Sequence, residues 1–276
     1  MRLIQHKKEA YWFYRFLSAG YDRYVNPLFW TPGMRERALA AARLDNRRLL
    51  TLDAGAGTGF TTEGIVELVD ADCVTMLDQS PHQLARARAR PGLAACRKLL
   101  GDAEALPFAT DSFDRYVSAG SIEYWPDPQR GIAEAFRVLR AGGVALVVGP
   151  VPPGDPVLRR LAELWMLFPT EPEYREWFAR AGFADVELRA VAPDWYRDRR
   201  SRYAVAVTGR KPRGGEPPPE PAGVREELGA PMTLRRRLVF AGRFVLGSLA
   251  GAAFVPVGIA LALRARLDDR RRAATR

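Results

Sequence analysis

Short apolar runs punctuate the middle of the chain, with stretches of helical periodicity between them. Leu49 to Asp53, Cys73 to Asp78, Cys96 to Asp102, Asp114 to Ala119 and Val144 to Gly149 read as five strands. Runs that are apolar throughout, alternating with helices, indicate a sheet buried on both faces and mostly parallel. Two later runs, Ala184 to Ala192 and Arg202 to Thr208, alternate apolar and polar positions and close the sheet at seven strands. Ser80 before Pro81 and Asp127 before Pro128 are helix caps followed by proline at the first helical position. Gly142 and Gly143 are expected to stop the helix that carries Ala133 to Leu139. Asp155 to Phe168 and Glu171 to Ala181 are expected as further helices.

The two ends have a different texture. Residues 1–45 look helical and are rich in aromatic side chains, Tyr11, Trp12, Phe13, Tyr14, Tyr21 and Trp30 among them. They are expected to form a helical cap on the core, a lid over an apolar substrate, or both. Residues 46–210 hold the α/β domain. Residues 211–232, with Gly-Gly-Glu-Pro-Pro-Pro-Glu-Pro, read as a polar linker. In 233–276 the run Phe244 to Leu263 has twenty uncharged residues flanked by arginines. That length suits a helix across a bilayer core of about 30 Å, so a membrane anchor is expected. The alternatives are an in-plane insertion and a helix buried on the domain or in a dimer.

Chemistry concentrates where strands end. Leu52-Asp-Ala-Gly-Ala-Gly-Thr-Gly-Phe60 reads as strand, glycine turn, helix. Gly55, Gly57 and Gly59 would let a ligand approach the backbone, and amides at the helix start would meet its polar groups. Asp53 is placed to bond a ligand amine or water. Asp78, ending the second strand, is placed to accept both ribose hydroxyls of a nucleoside, with Gln79 beside it. The pattern D-x-G-x-G-x-G, rather than G-x-G-x-x-G, points to S-adenosylmethionine rather than a dinucleotide. After the third strand, Asp102 and Ala103 are expected at the adenine. After the fourth, Ser118 is expected beside the methionine part, and Glu123 and Tyr124 toward the methyl acceptor, where a carboxylate takes a proton from a phenol. Tyr21, Trp30, Trp125 and Trp165 are the candidate substrate-binding aromatics.

Composition narrows the classes. The formal charge is +10, almost all of it from arginine, since lysine occurs only at 7, 8, 98 and 211. No base-methylation motif or RNA-binding module accompanies the charge, so nucleic acid is not an expected partner, whereas a membrane lipid surface is. Cys73 and Cys96 form no disulfide framework, and His6 and His82 belong to no cluster with metal-ligand spacing, so no metal is expected. The N-terminus has no apolar signal core, which predicts a chain not exported by a cleaved signal.

Several of these segments resemble one family. They are His6-Lys-Lys-Glu-Ala10, Trp12 to Leu17, Asp78-Gln-Ser-Pro-His-Gln-Leu84, Gly101 to Glu104, the eighteen residues Asp114 to Gly131, Trp165 to Pro169 and Trp195 to Arg197. They are similar to the plant and algal 2-methyl-6-phytyl-1,4-benzoquinol methyltransferases of the chloroplast inner envelope. The resemblance implies a Rossmann-like class I fold using S-adenosylmethionine. It also implies C-methylation of a prenylated benzoquinol in tocopherol or plastoquinone synthesis, and a C-terminal membrane helix with the catalytic domain on the cytoplasmic or stromal-equivalent face. Ala56 stands where the plant enzymes commonly carry glycine, and the absence of a plastid transit segment predicts a prokaryotic setting. Methylation of another polyprenyl quinol, such as a demethylmenaquinol, and a membrane-tethered S-adenosylmethionine-binding protein with little catalysis are the competing expectations.

Overall fold

The computed structural model describes residues 30–196 and 201–218, and a set of helical positions between 233 and 260. Seven strands form one sheet: β1 (Thr51–Ala54), β2 (Val74–Asp78), β3 (Arg97–Leu100), β4 (Phe113–Ala119), β5 (Leu139–Pro150), β6 (Ala184–Val191) and β7 (Ala204–Arg210). Their spatial order is β3-β2-β1-β4-β5-β7-β6. β1 to β5 run parallel, and β7 enters antiparallel between β5 and β6. The order reverses between β1 and β4. In such sheets the carboxyl ends at the reversal form the ligand crevice.

Successive residues of the central strands feed two cores. Tyr116 of β4 and Val147 of β5 belong to one, with Phe136, Tyr174 and Phe178. Val117, Leu146 and Val148 belong to the other, with Met34, Ile65 and Met76. The helices covering these faces are α1 (Pro32–Leu39), α2 (Phe60–Val66), α3 (Pro81–Arg88), α4 (Pro128–Val138), α5 (Pro156–Trp165) and α6 (Glu171–Ala181). Phe178 is fully buried, a gain of about 1.5–3 kcal/mol. Both proline-signalled caps form: Ser80 accepts from the Gln83 amide and Asp127 from the Arg130 amide. A capping box at Thr170 and Glu173 starts α6.

Three expectations change. α4 ends at Val138, because Leu139 already pairs with Phe113 as the first residue of β5. Gly142 and Gly143 therefore lie inside that long strand, where they exchange backbone bonds with Lys211. Lys211 itself is wholly buried, donates to Asp111 Oδ1 at 2.7 Å and lies over the Phe136 ring. α5 spans Pro156–Trp165, stopping short of Phe168. The C-terminal anchor is the third correction. Much of Phe244 to Leu263 lies outside the described residues, and among the described residues no helix is long and apolar enough to cross a membrane. The expectation rested on twenty uncharged residues, a run that also contains Gly247, Gly251, Pro256 and Gly258. Tyr21, and residues 1–29 generally, also lie outside the described residues.

Candidate functional site

The crevice at the reversal point is a cavity with an empty volume of about 920 Å³, its open mouth included, at the place where open α/β sheets bind ligands. The glycine turn forms one wall. The amides of Gly55 and Ala56 both donate to the Leu77 carbonyl, at 2.8 and 3.0 Å, and that of Gly57 to Asp78 Oδ2 at 2.8 Å. These amides hold the turn onto β2 rather than reaching out for a ligand. Gly55 has φ +74°, and a Cβ there would strike the Ser121 side chain. At Gly57, φ +55°, a Cβ would meet nothing within 4 Å and would stand in open space. The two glycines thus serve different ends, one a close approach of chain to chain and the other clearance at the cavity wall. Gly55→Ala combines a strained left-handed backbone with that clash, and should destabilise the protein by about 1–3 kcal/mol. Thermal unfolding beside Gly57→Ala checks this, since Gly57→Ala carries the strain without the clash.

Asp78 lies on the cavity wall at 9% exposure. Its Oδ2 receives the Gly57 amide and its Oδ1 the Ser80 amide at 2.8 Å. Carboxylate oxygens accept more than one bond each, so Asp78 both fixes the turn and keeps capacity for hydroxyls in the cavity. Gln79, Asp102 and Ala103 line the same end. The Asp102 loop is tied down from two sides. Glu104, buried at 1%, accepts the Asp127 amide at 2.7 Å. On α4, Glu134 accepts the Leu106 amide, while Arg137 donates to the Leu106 and Phe108 carbonyls. Trp30, Tyr124 and Trp125 line the remaining wall. The Trp30 indole donates to Thr61 Oγ1 at 3.4 Å and that of Trp125 to Ser121 Oγ at 2.9 Å.

Four sequence-predicted residues sit behind the cavity wall. Asp53 is 1% exposed, and its Oδ2 accepts from the Thr62 hydroxyl at 2.6 Å while its Oδ1 has no partner among the described residues. Burial, with a smaller contribution from Asp78, pushes its carboxyl up to about 7. Gly59 turns its Cα toward Leu93 and Met76, so its contacts are packing contacts. Ser118 is fully buried beneath Gly55. Glu123 stands in a one-turn helix, Ile122–Tyr124. Its Oε1 is 3.9 Å from where a Cβ on Gly120 would be, and Gly120 lines the cavity. Its Oε2 is buried without a partner among the described residues, and burial pushes the carboxyl up to about 7. Trp165 ends α5, and its side chain lies outside the described residues. Phe60, Thr61, Gln83, Glu104 and Ser121 also line the cavity and were not among the candidates. Ser121 had a signal, lying two residues past a candidate strand end, and Gln83 lies in the segment Asp78 to Leu84 that carries the family resemblance.

The cavity tests well against S-adenosylmethionine. A glycine turn whose Gly57 clears space, an acidic residue ending β2 and an acidic loop after β3 provide a cradle for a nucleoside. Fold and site together define a class I S-adenosylmethionine-dependent methyltransferase. Residues 52–147 match the methyltransferase domain family. A methyltransferase solved in complex with the Haloferax volcanii Trm112 methyltransferase activator superposes with a TM-score of 0.59, at 22% identity over 72% of this chain and 97% of its own, a likeness of fold alone. The chain is 54% identical over 94% of its length to the chloroplastic 2-methyl-6-phytyl-1,4-hydroquinone methyltransferase of Spinacia oleracea, covering 75% of it. It is 53% identical over the same share to the chloroplastic enzyme of Arabidopsis thaliana, covering 77% of that protein. The chain belongs to the 2-methyl-6-phytyl-1,4-hydroquinone methyltransferase family. Among the described residues no helix is long and apolar enough to cross a membrane, so the expected placement by a C-terminal membrane anchor is withdrawn; the relatives are named as chloroplastic.

Proposed function

We propose that this protein transfers a methyl group to a ring carbon of a prenylated benzoquinol of the 2-methyl-6-phytyl type. The observation that carries the reading is the identity of 54% extending over 94% of the chain, well beyond the cofactor turn. The site is consistent with it, because one cavity joins the glycine turn and Asp78 to an aromatic end at Trp30, Tyr124 and Trp125. Asp78 and Gln79 would hold the ribose, and Asp102 and Ala103 the adenine. Bound S-adenosylmethionine supplies an electrophilic methyl whose sulfur leaves as a neutral thioether.

The protein's own part is orientation, exclusion of water and proton handling. Aromatic faces at the far end suit a flat ring. Glu123, directly behind Gly120, is proposed to accept the phenolic proton through Tyr124 or a water, which raises the nucleophilicity of the ring carbon; once that carbon carries the methyl, its own proton leaves to restore the aromatic ring and the phenolic oxygen is reprotonated. A carboxyl held near 7 is suited to that exchange at neutral pH. Trp30, the first described residue, lines the cavity.

The test is an assay with labelled S-adenosylmethionine against a panel of quinols. Label should appear in the dimethyl product of 2-methyl-6-prenyl-benzoquinol. Label confined to a demethylnaphthoquinol would keep the cofactor and move the substrate. Cofactor binding without label in any quinol would discard the quinol assignment.

A further inference from the structure

The cavity wall that carries Trp30 and Phe60 is fastened from outside by a buried cation. Arg35 projects from α1 with its side chain 10% exposed. Its Nη1 donates to the Phe60 carbonyl at 3.0 Å, and its guanidinium carbon lies 4.9 Å from the centre of the Phe60 ring. Nη2 reaches Glu67 at 3.4 Å, but that carboxylate is 64% exposed, so the ion pair contributes little. Nε is buried without a hydrogen-bond partner among the described residues.

A guanidinium is an expensive filler for this place. Burying it with one N–H unsatisfied costs more than a methionine or leucine would. What it supplies instead is a fork with one nitrogen on the carbonyl of the first residue of α2 and the other on Glu67, and a cation over the Phe60 ring. The groove it lies in is made by Gly64, where a Cβ would come within 2.7 Å of Arg35 Nε and 2.7 Å of Leu39 Cδ1. Trp30, just before α1, is tied to the same helix start through Thr61. Phe60, Thr61 and Trp30 all line the cavity, as do Tyr124 and Trp125. The glycine turn and Asp78, by contrast, are held by bonds to β2 and its flank.

We propose that Arg35 is a positioning residue that sets specificity: it holds Phe60 and Trp30 as one rigid aromatic wall for the flat ring of the methyl acceptor. The inference rests on the quinol reading above. A wall locked before the ligand arrives spares the ordering cost of two mobile aromatic side chains. Losing the lock therefore weakens the hold on the acceptor while leaving the cofactor end in place.

Two substitutions attack the lock from opposite sides. Arg35→Lys keeps the charge and removes the fork. Gly64→Ala pushes the guanidinium from its groove without altering a cavity residue. In the full chain, KM for 2-methyl-6-prenyl-benzoquinol should rise about tenfold in each variant, with kcat within about threefold. Calorimetric affinity for S-adenosylmethionine should stay within about twofold of wild type. An unchanged quinol KM in both variants, with wild type active, removes the clamp and leaves the functional reading intact. Parallel losses of cofactor affinity, kcat and melting temperature would make Arg35 a packing residue and also overturn the proposal. A wild-type chain that methylates no quinol removes the functional reading, and the clamp with it.

Discussion

Asp78→Ala should lower affinity for S-adenosylmethionine by at least about a hundredfold. The carboxylate carries two duties. It receives the Gly57 and Ser80 amides, each at 2.8 Å, and so sets the glycine turn against the end of β2. It also faces the cavity, where its remaining lone pairs suit ribose hydroxyls. Charge-assisted bonds of this kind are worth about 1.5–3 kcal/mol each, so two of them account for the expected loss. Loosening of the turn adds to it. Asp78→Asn keeps one acceptor oxygen and loses the charge, and should fall between wild type and Ala. Calorimetric titration gives the affinity, and thermal unfolding of the empty proteins separates turn loosening from ligand contact. Wild-type affinity in Asp78→Ala would refute the assignment.

The second large effect is at Glu123. Glu123→Gln should slow methyl transfer about a hundredfold, the lower end of what a positioned base contributes, while affinity for S-adenosylmethionine stays unchanged. The wild-type rate should climb with pH through about 7, because the proton acceptor is the ionised carboxylate and burial raises its pKa to that value. The Gln variant should lack that limb. Stability moves the other way. The folded carboxyl titrates near 7 and the unfolded one near its ordinary 4.5, so the unfolded chain ionises first as pH rises. Stability from keeping this group neutral is therefore present below about 4.5 and is lost as pH rises toward about 7. Glu123→Gln carries no such titration, and at pH 8 its melting temperature should exceed that of wild type. A variant less active yet more heat-stable fits a carboxyl kept buried for chemistry. One unchanged in turnover would remove Glu123 from the mechanism.

The strands were legible because a sheet buried on both faces needs runs that are apolar throughout, and those runs are short and bounded. The start of β5 was not. Gly142 and Gly143 have the local signature of a helix stop, but the stop is made three residues earlier by a tertiary contact, Leu139 pairing with Phe113 of β4. In the site, Asp78, Gln79, Asp102 and Ala103 follow strand ends, so position alone brought them to the cavity. The same logic expected Asp53 and Ser118 at the ligand, whereas strand alternation turns both side chains behind the cavity wall, and Gly59, at the start of α2, packs toward Leu93 and Met76. Arg35 and Phe60 are 25 residues apart, and nothing local in either predicts their contact. The C-terminal anchor was read from an apolar count, and among the described residues no helix is long and apolar enough to cross a membrane.

The place of β7 sets an order of assembly. β6 pairs only with β7 among the named strands, and β5 has β7 as its outer neighbour. During synthesis β6 therefore emerges with no strand to join, and the outer edge of β5 stays open until residues 204–210 arrive. Closing that gap is a late, non-local event of the kind that slows folding and exposes strand edges. The nascent chain is most vulnerable to edge-to-edge association in that interval, when most of the residues of the cofactor cavity have already been made.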